Sequence, residues 1–157
     1  FVGGQVPARK ASETLSQGVA DGVFLPMETM KGLRVYEVAP YTKLMPGGLY
    51  RGSFSIVMSE SFLNKLSEED RKAVLSTTGE ELSRMAGRAW ADADIEGLEA
   101  AKKQSKDLSE WAPEEAAKFQ EIAKKVRASV VKEVAATGVD AEAALALIEE
   151  TMANYKT

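Results

Sequence analysis

The stretch TLSQGVADGVFLP, residues 14–26, decides how this chain is interpreted. Leu15 and Val19 lie four residues apart, the spacing of one helix face, and Ser12 is a possible start. Glycines at positions 18 and 22 then favour a tight turn. The apolar run Val23–Leu25 follows this turn and ends at Pro26. The pattern predicts a helix over residues 11–19, a sharp turn and a short buried strand.

Further along, the run Phe54–Met58 is apolar throughout, which predicts a strand buried on both faces. Ser67 is followed by three acidic residues, a pattern typical of a capped helix start. No proline interrupts the chain from there to Gln104, so we predict one helix over residues 68–104. It would be roughly 55 Å long, more than the ~30 Å of a small domain, and would therefore bridge two bodies. Its expected buried stripe is Leu75, Leu82, Met85, Ala86, Ala89, Trp90 and Ala93.

Three glycines, at positions 79, 87 and 97, lie inside this predicted helix. Each costs up to about 1 kcal/mol relative to alanine. They indicate close packing of another element against the helix backbone, with a kink as the alternative.

The remaining pattern predicts a short strand at residues 1–6, a helical turn at 28–32 and a strand at 41–45, and it indicates a connector or a short strand at 107–111. Pro113 is well placed at the first position of a further helix. Its expected buried face is Phe119, Ile122, Val126, Val130 and Val134. Gly138 should end that helix, and Asp140 should cap a last one with Leu145, Ile148, Met152 and Tyr155 facing inward.

Composition excludes several classes of function. The 157 residues include no Cys and no His, which removes thiolate and imidazole chemistry. A net charge of −4 with mixed signs argues against nucleic acid as a partner. No segment approaches the ~18 consecutive apolar residues of a membrane span.

The ordered series of a helix, an Asp21-Gly22 turn, two apolar runs and a capped long helix resembles the solute-binding proteins of TRAP transporters. That family has a "Leu-x-x-Gly-x-x-Asp-Gly" tract and a later "Leu-Ser-x-Glu-Asp" tract that opens a helix spanning both lobes. The resemblance covers nearly all of the chain and implies an α/β, helix-rich part of a two-lobed periplasmic binding protein.

The resemblance implies that residues 1–157 are the C-terminal portion of such a protein, because the chain begins without Met and family members are considerably longer. Residues 1–50 would belong to the second lobe, 51–66 would form a hinge strand, 67–104 the spanning helix and 105–157 the C-terminal helices. The implied function is periplasmic capture of a small organic solute, with a carboxylate as the expected class, for delivery to TRAP membrane subunits. No cofactor, metal or catalytic residue is implied, and the chain is not expected to be an enzyme. We expect it to be held by the N-terminal half of the same protein or by another copy.

Ligands in open α/β sheets bind beyond the carboxyl ends of strands. This geometry favours the residues next to the strand-ending prolines and glycines, Pro26 and Pro46-Gly47-Gly48, as the lining of a common cleft. The candidate ligand-binding residues are Phe24, Leu25, Glu28, Gly48, Leu49, Tyr50 and Arg51.

The sequence departs from the family pattern in the tract after Asp21-Gly22. The family often has Asn at the position of Leu25, and that Asn contacts the ligand. Leu25 cannot donate a hydrogen bond to a carboxylate, so a more apolar or aromatic ligand is allowed. The family's main carboxylate-binding Arg would lie upstream of Phe1.

Two other classes of function stay open. A helical interaction module with no small-molecule ligand would show a long exposed apolar stripe, self-association and no sheet. An enzyme with a carboxylate site on the long helix would bind a divalent metal near Asp92 and Glu96, which share a helix face with each other.

Overall fold

The computed structural model describes residues 3–50 and 52–155, and these form a helix-rich α/β arrangement. They divide into two compact units, the first ending at Glu110 and the second beginning at Trp111. The elements in chain order are α1 (Ala11–Ser16), α2 (Thr29–Gly32), β1 (Tyr41–Leu44), α3 (Glu60–Leu63), α4 (Glu68–Ser76), α5 (Glu80–Gln104), β2 (Asp107–Glu110), α6 (Pro113–Ala135) and α7 (Ala141–Asn154). Short 3₁₀ turns precede α1, at Ala8–Lys10, and follow α2, at Val35–Glu37.

The two strands pair in parallel, with Tyr41 opposite Asp107 and Leu44 opposite Glu110. β1 was predicted as a strand and β2 as a connector or a short strand, and each ends one residue earlier than expected. Parallel pairing requires a long crossover connection. Here the connection contains α3, α4 and α5, so the sheet places the C-terminal end of α5 beside the residues that follow α2.

The core of the first unit lies where α2 meets α5. Met30, Val35 and Ala101 form its centre, and the Ala101 side chain has no exposed surface. Partly buried apolar side chains pack around this centre from the flanking loops and from β2: Val23, Leu25, Met27, Leu33, Tyr36, Ala39 and Leu108.

The predicted single helix over 68–104 is wrong, because it is two helices separated by residues 77–79. The hydroxyls of Ser76, Thr77 and Thr78 donate to the carbonyls three residues before them, at 2.8, 2.9 and 2.9 Å. Such local hydrogen bonds compete with helix continuation. Gly79 then adopts φ +71°, which glycine tolerates without steric penalty. The continuous α5 is therefore 25 residues, roughly 37 Å, instead of roughly 55 Å.

Three predicted strands are not formed. Residues 3–6 are irregular, and residues 1 and 2 lie outside the described part of the chain. Val23–Leu25 is also irregular, although its side chains alternate in burial as they would in a strand. Phe54–Met58 is irregular and exposed, with Val57 at 86% exposure, because no strand among the described residues pairs with this run. The described part of the predicted hinge segment, 52–66, contains α3 in place of a strand, and its role as a hinge stays a prediction.

The first helix ends at Ser16, three residues earlier than predicted. Gly18 has φ +68°, and two backbone bonds close the end of the helix: Val19 N–H to Thr14 O at 3.0 Å and Gly18 N–H to Leu15 O at 3.1 Å. This pair of bonds is the Schellman motif that glycine favours at helix ends. Val19, predicted to share a helix face with Leu15, consequently lies beyond the helix and is exposed.

The predicted caps are confirmed. Ser67 Oγ accepts the Asp70 N–H at 3.0 Å, and its hydroxyl donates to the Asp70 carboxylate at 2.7 Å. Pro113 is the first residue of α6, and the Asp140 carboxylate accepts the Ala143 N–H at the start of α7. At each of these positions the local residue preference is sufficient to predict where the helix begins.

The predicted buried faces of the long helices are wrong in most positions. In α4 and α5, Leu75, Met85 and Trp90 are exposed, and the buried residues of α5 are Gly97 and Ala101. The same is true in the second unit, where these residues are exposed: Ile122, Val126, Val130, Val134, Ile148, Met152 and Tyr155. Helical periodicity identified the apolar face of each helix, but most of these positions are exposed among the described residues.

Candidate functional site

The loop at residues 23–28 carries the first group of candidate ligand-binding residues. Val23, Leu25 and Met27 pack against the core, whereas Phe24 between them is 70% exposed. Successive side chains of an extended segment point to opposite sides, which explains this alternation. Phe24 is therefore available to a ligand, and Leu25 contributes mainly to the core.

The end of this loop is held against α5. The Glu28 N–H donates to Asp94 Oδ1 at 2.8 Å. A Cβ placed on Gly97 would overlap the Met27 carbonyl and lie 2.9 Å from Glu28 Cα, so the loop backbone lies directly on the glycine. Lys31 of α2 also forms an ion pair with Glu96 at 2.6 Å, although both side chains are well exposed and such pairs contribute little.

The Glu28 carboxyl lies in an unusual electrostatic environment for a loop residue. Partial burial, and then the nearby Asp94 carboxylate, raise its pKa above the ordinary value of 4.5. Both effects disfavour the ionised form. A raised carboxyl pKa next to a proposed ligand loop is consistent with a functional site and equally with tight packing.

The second group of candidates follows β1. Gly47 and Gly48 have φ values of +79° and +88°, and the Gly48 N–H donates to Met45 O at 2.9 Å, which makes a tight turn. Leu49 is half-buried and Tyr50 is exposed. Arg51 lies outside the described residues. That Gly48, Leu49 and Tyr50 share one cleft with Phe24 stays a prediction.

Three acidic residues of α5 have identifiable polar partners. Asp94 accepts the Glu28 N–H, Glu96 pairs with Lys31, and Glu99 accepts a hydrogen bond from Lys102 at 2.8 Å. Over residues 3–50 and 52–155, no three carboxylates come together in a group that could hold a metal ion. The structure therefore gives no support to the alternative of a metal-dependent enzyme near Asp92 and Glu96.

A shallow depression of about 360 Å³ lies between α3 and α4. It is lined by Glu60, Leu63, Asn64, Arg71 and Leu75. None of the predicted ligand-binding residues is among them. No pattern in the sequence indicated this depression. Among the described helices, none is long and apolar enough to cross a membrane.

The roles of Asp94 and Gly97 were only partly visible in the sequence. Gly97 was one of three helix-interior glycines, and it is the one that confirms the predicted close packing. Gly87 faces open space, and Gly79 lies at the helix break. Nothing near Asp94 in the sequence indicates its partner, because Glu28 is 66 residues away.

The fold matches half of a known type of binding protein. A crystal structure of a TRAP periplasmic solute-binding protein from Bordetella bronchiseptica, with bound (R)-mandelate and (S)-mandelate, superposes with a TM-score of 0.82. It is 28% identical over 90% of this chain, and the match covers 45% of that structure's chain. The chain therefore has part of a TRAP solute-binding protein fold and spans less than half the length of this relative.

The family is established independently by sequence. The family model for bacterial extracellular solute-binding proteins, family 7, matches residues 5–133. The chain belongs to this family, and the resemblance drawn from residues 14–26 and 67–70 is confirmed. No curated protein matches the chain with statistical significance.

Proposed function

We propose that the protein containing this chain captures a small organic acid in the periplasm and delivers it to the membrane subunits of a TRAP-type transporter. The observation that carries the proposal is the match of 90% of this chain to a TRAP periplasmic protein with bound mandelate. Membership of the extracellular solute-binding family agrees with the proposed location and with a role in binding. No chemical reaction is part of the proposal.

The proposed ligand is a carboxylate with an apolar or aromatic group. Phe24 is exposed on the candidate loop, and Tyr50 is exposed after the Gly47-Gly48 turn. Leu25 stands where the family often has a ligand-contacting Asn, so the polar contact expected there is missing. An aromatic acid such as mandelate would gain from stacking or edge contacts with these rings, worth about 0.5–1.5 kcal/mol for each pair.

In this mechanism the chain supplies one side of the site. The carboxylate would be gripped by an Arg, as the family resemblance implies, from a part of the protein outside this chain. A two-pronged Arg–carboxylate contact is strong when water is excluded. Closure of the lobes would exclude water and present a loaded conformation to the transporter.

A thermal-shift screen on the full-length protein tests the proposal. The probes are (R)-mandelate, (S)-mandelate, lactate and succinate, which vary the aromatic group while keeping the carboxylate. A ligand at about 100 times its Kd stabilises the folded state by about 2.7 kcal/mol, which raises the melting temperature measurably. We expect the mandelates to raise it more than lactate or succinate.

Phe24→Ala should reduce the mandelate shift and leave any lactate shift nearly unchanged. Val19→Ala is the matched control, because Val19 is as exposed as Phe24 but lies before the loop. No stabilisation by any acid in the screen would contradict the proposed function. An equal response to all four acids would contradict the aromatic preference alone.

The exposed apolar face of α6 favours a second candidate, a helical protein-interaction module with no small ligand. The parallel pair β1–β2 contradicts the absence of a sheet that this candidate predicts. Ile122 and Val126 are 59% and 57% exposed, more than a buried helix face allows. This candidate predicts that no acid shifts the melting temperature, whereas the capture proposal predicts that at least the mandelates do. The same screen therefore separates the two.

A further inference from the structure

We infer that Asp94 and Gly97 of α5 are positioning residues that hold the proposed ligand loop, residues 23–28, in its binding conformation. The inference rests on the proposed function, because it assigns the loop a role in ligand contact. Neither residue is proposed to touch the ligand. Both act through the backbone of Met27 and Glu28.

Asp94 caps a helix that lies far from it in the sequence. The first N–H groups of a helix have no partner within the helix, and Glu28 immediately precedes α2. The Asp94 carboxylate accepts the Glu28 N–H at 2.8 Å and supplies that missing partner from α5. A hydrogen bond to an ionised acceptor is stronger than one between neutral groups, so this single contact is suited to holding a short loop.

Gly97 removes the steric barrier to that hydrogen bond. A side chain at this position would meet the Met27 carbonyl carbon at 2.6 Å and the Glu28 Cα at 2.9 Å. Asp94, Gly97 and Ala101 are spaced by three and four residues, so they lie on one face of α5. Ala101, fully buried one turn further on, continues the surface on which the loop rests.

The exposed Phe24 lies four residues before the Glu28 anchor, and the intervening Leu25 and Met27 pack into the core. The anchor and the core contacts together limit the conformations of the loop before any ligand arrives. Ordering a loop in advance reduces the entropy lost on binding and raises affinity. The loop must also move together with α5, which links ligand contact to the long helix.

The test compares Asp94→Ala, Asp94→Asn and Glu99→Gln in the full-length protein. Alanine removes the acceptor, whereas asparagine keeps an acceptor oxygen in nearly the same place. Glu99→Gln is the control, because Glu99 is an acid of the same helix that bonds Lys102 and not the loop. Two quantities are measured: hydrogen exchange of the Glu28 amide without ligand, and mandelate affinity by titration.

We expect Asp94→Ala to accelerate exchange of the Glu28 amide about ten- to a hundredfold, the range for losing one charge-assisted hydrogen bond. Mandelate binding should weaken about five- to tenfold, because only part of that loss is transmitted to the ligand. Asp94→Asn should recover most of both losses. Glu99→Gln should change neither. Recovery by asparagine distinguishes positioning from a general loss of packing, which asparagine would not restore selectively at one amide.

The outcomes separate the inference from the proposed function. Unchanged exchange of the Glu28 amide in Asp94→Ala would show that Asp94 does not hold the loop. Faster exchange with unchanged mandelate affinity would show that the Asp94–Glu28 hydrogen bond has no role in binding, and would leave the proposed solute capture intact. If the unmodified protein binds no mandelate, the proposed aromatic ligand and this inference both fail, and the exchange data still report whether Asp94 holds the loop.

Gly97→Ala provides a second, independent variant. It should also accelerate Glu28 exchange and weaken binding, because the loop must move away from the new methyl group. Should that variant fail to fold, the asparagine and alanine variants at position 94 still show whether Asp94 holds the loop in its binding conformation.

Discussion

Phe54 stacks on Trp90 of α5, with ring centroids 4.7 Å apart and ring planes inclined by 17°. This contact joins α5 to the otherwise exposed run 54–58. Stacked aromatic pairs contribute about 0.5–1.5 kcal/mol beyond the area they bury. Phe54 therefore fastens a segment whose neighbours Ile56 and Val57 are largely exposed.

Phe54→Ala should release this segment. We expect a change in Trp90 fluorescence and faster proteolysis between residues 52 and 60, because the ring that holds the run to α5 is gone. The measurements are made on the 157-residue chain in a Trp111→Phe background, so that Trp90 is the one tryptophan of these residues. Val57→Ala, at a position 86% exposed, should leave both readouts unchanged. Identical proteolysis of the Phe54→Ala and Val57→Ala variants would contradict the role given to the stack.

Two glycines of α5 should respond to alanine with opposite signs. Gly97→Ala should lower the free energy of unfolding by about 1–3 kcal/mol, because the added methyl group overlaps the backbone of Met27. Gly87→Ala should raise it by up to about 1 kcal/mol, because the site is open and alanine favours the helix. Urea denaturation of the full-length variants measures both. Equal effects at the two positions would show that the loop does not rest on Gly97.

Glu28 should make the protein less stable as pH rises. Its pKa is raised by burial and by Asp94, so the folded state keeps this proton at pH values where the unfolded state has lost it. Unfolding free energy then falls with rising pH, through a window that begins near the ordinary glutamate pKa of 4.5 and extends above it. Glu28→Gln removes the titration, so its stability relative to the unmodified protein should be higher at pH 7 than at pH 4.

Glu99→Gln should show the reverse trend and serves as the comparison. The hydrogen bond from Lys102 lowers the Glu99 pKa, so Glu99 stabilises the fold above its ordinary pKa and loses this effect as pH falls. The stability of the variant relative to the unmodified protein should therefore be lower at pH 7 than at low pH. Thermal melts across about pH 2.5–7, which extends roughly two units or more either side of the ordinary glutamate pKa, provide the data. The same trend in both variants would contradict the assignment for Glu28.

The 157-residue chain alone should associate. Exposed apolar side chains on the run 54–58 and on α6 seek partners when no other part of the protein covers them. Light scattering should give a mass above that of one chain, and Val126→Lys on the α6 face should reduce it. Lys118→Glu, a charge change at an already polar position of α6, is the control. A cooperatively folding monomer would contradict the expectation that another copy or the N-terminal half holds this chain.

Features determined within a few residues were predictable from the sequence. The caps at Ser67 and Asp140 and the helix start at Pro113 each depend on one side chain and the adjacent backbone. The strands near Tyr41 and Asp107 also follow from local pattern. The break at Gly79 was misjudged although its signal is local, since three hydroxyl residues before a glycine favour the end of a helix.

The candidate site was predictable only in part. The sequence located the apolar segment that carries Phe24 and Leu25, but not which of the two side chains turns toward the core. Side-chain direction in an irregular segment depends on what packs against it, and here Met30 and Ala101 come from two different helices.

The sequence by itself determined the family, the capped helix starts and the positions of apolar faces, because these depend on composition and on spacing along the chain. The tertiary structure alone decided which of those faces are covered and which backbone groups meet. Glu28 and Asp94 are 66 residues apart, and a hydrogen bond between them exists only because α2 is packed on α5 beside a glycine. Contacts of this kind depend on the relative placement of whole elements, which no local pattern encodes.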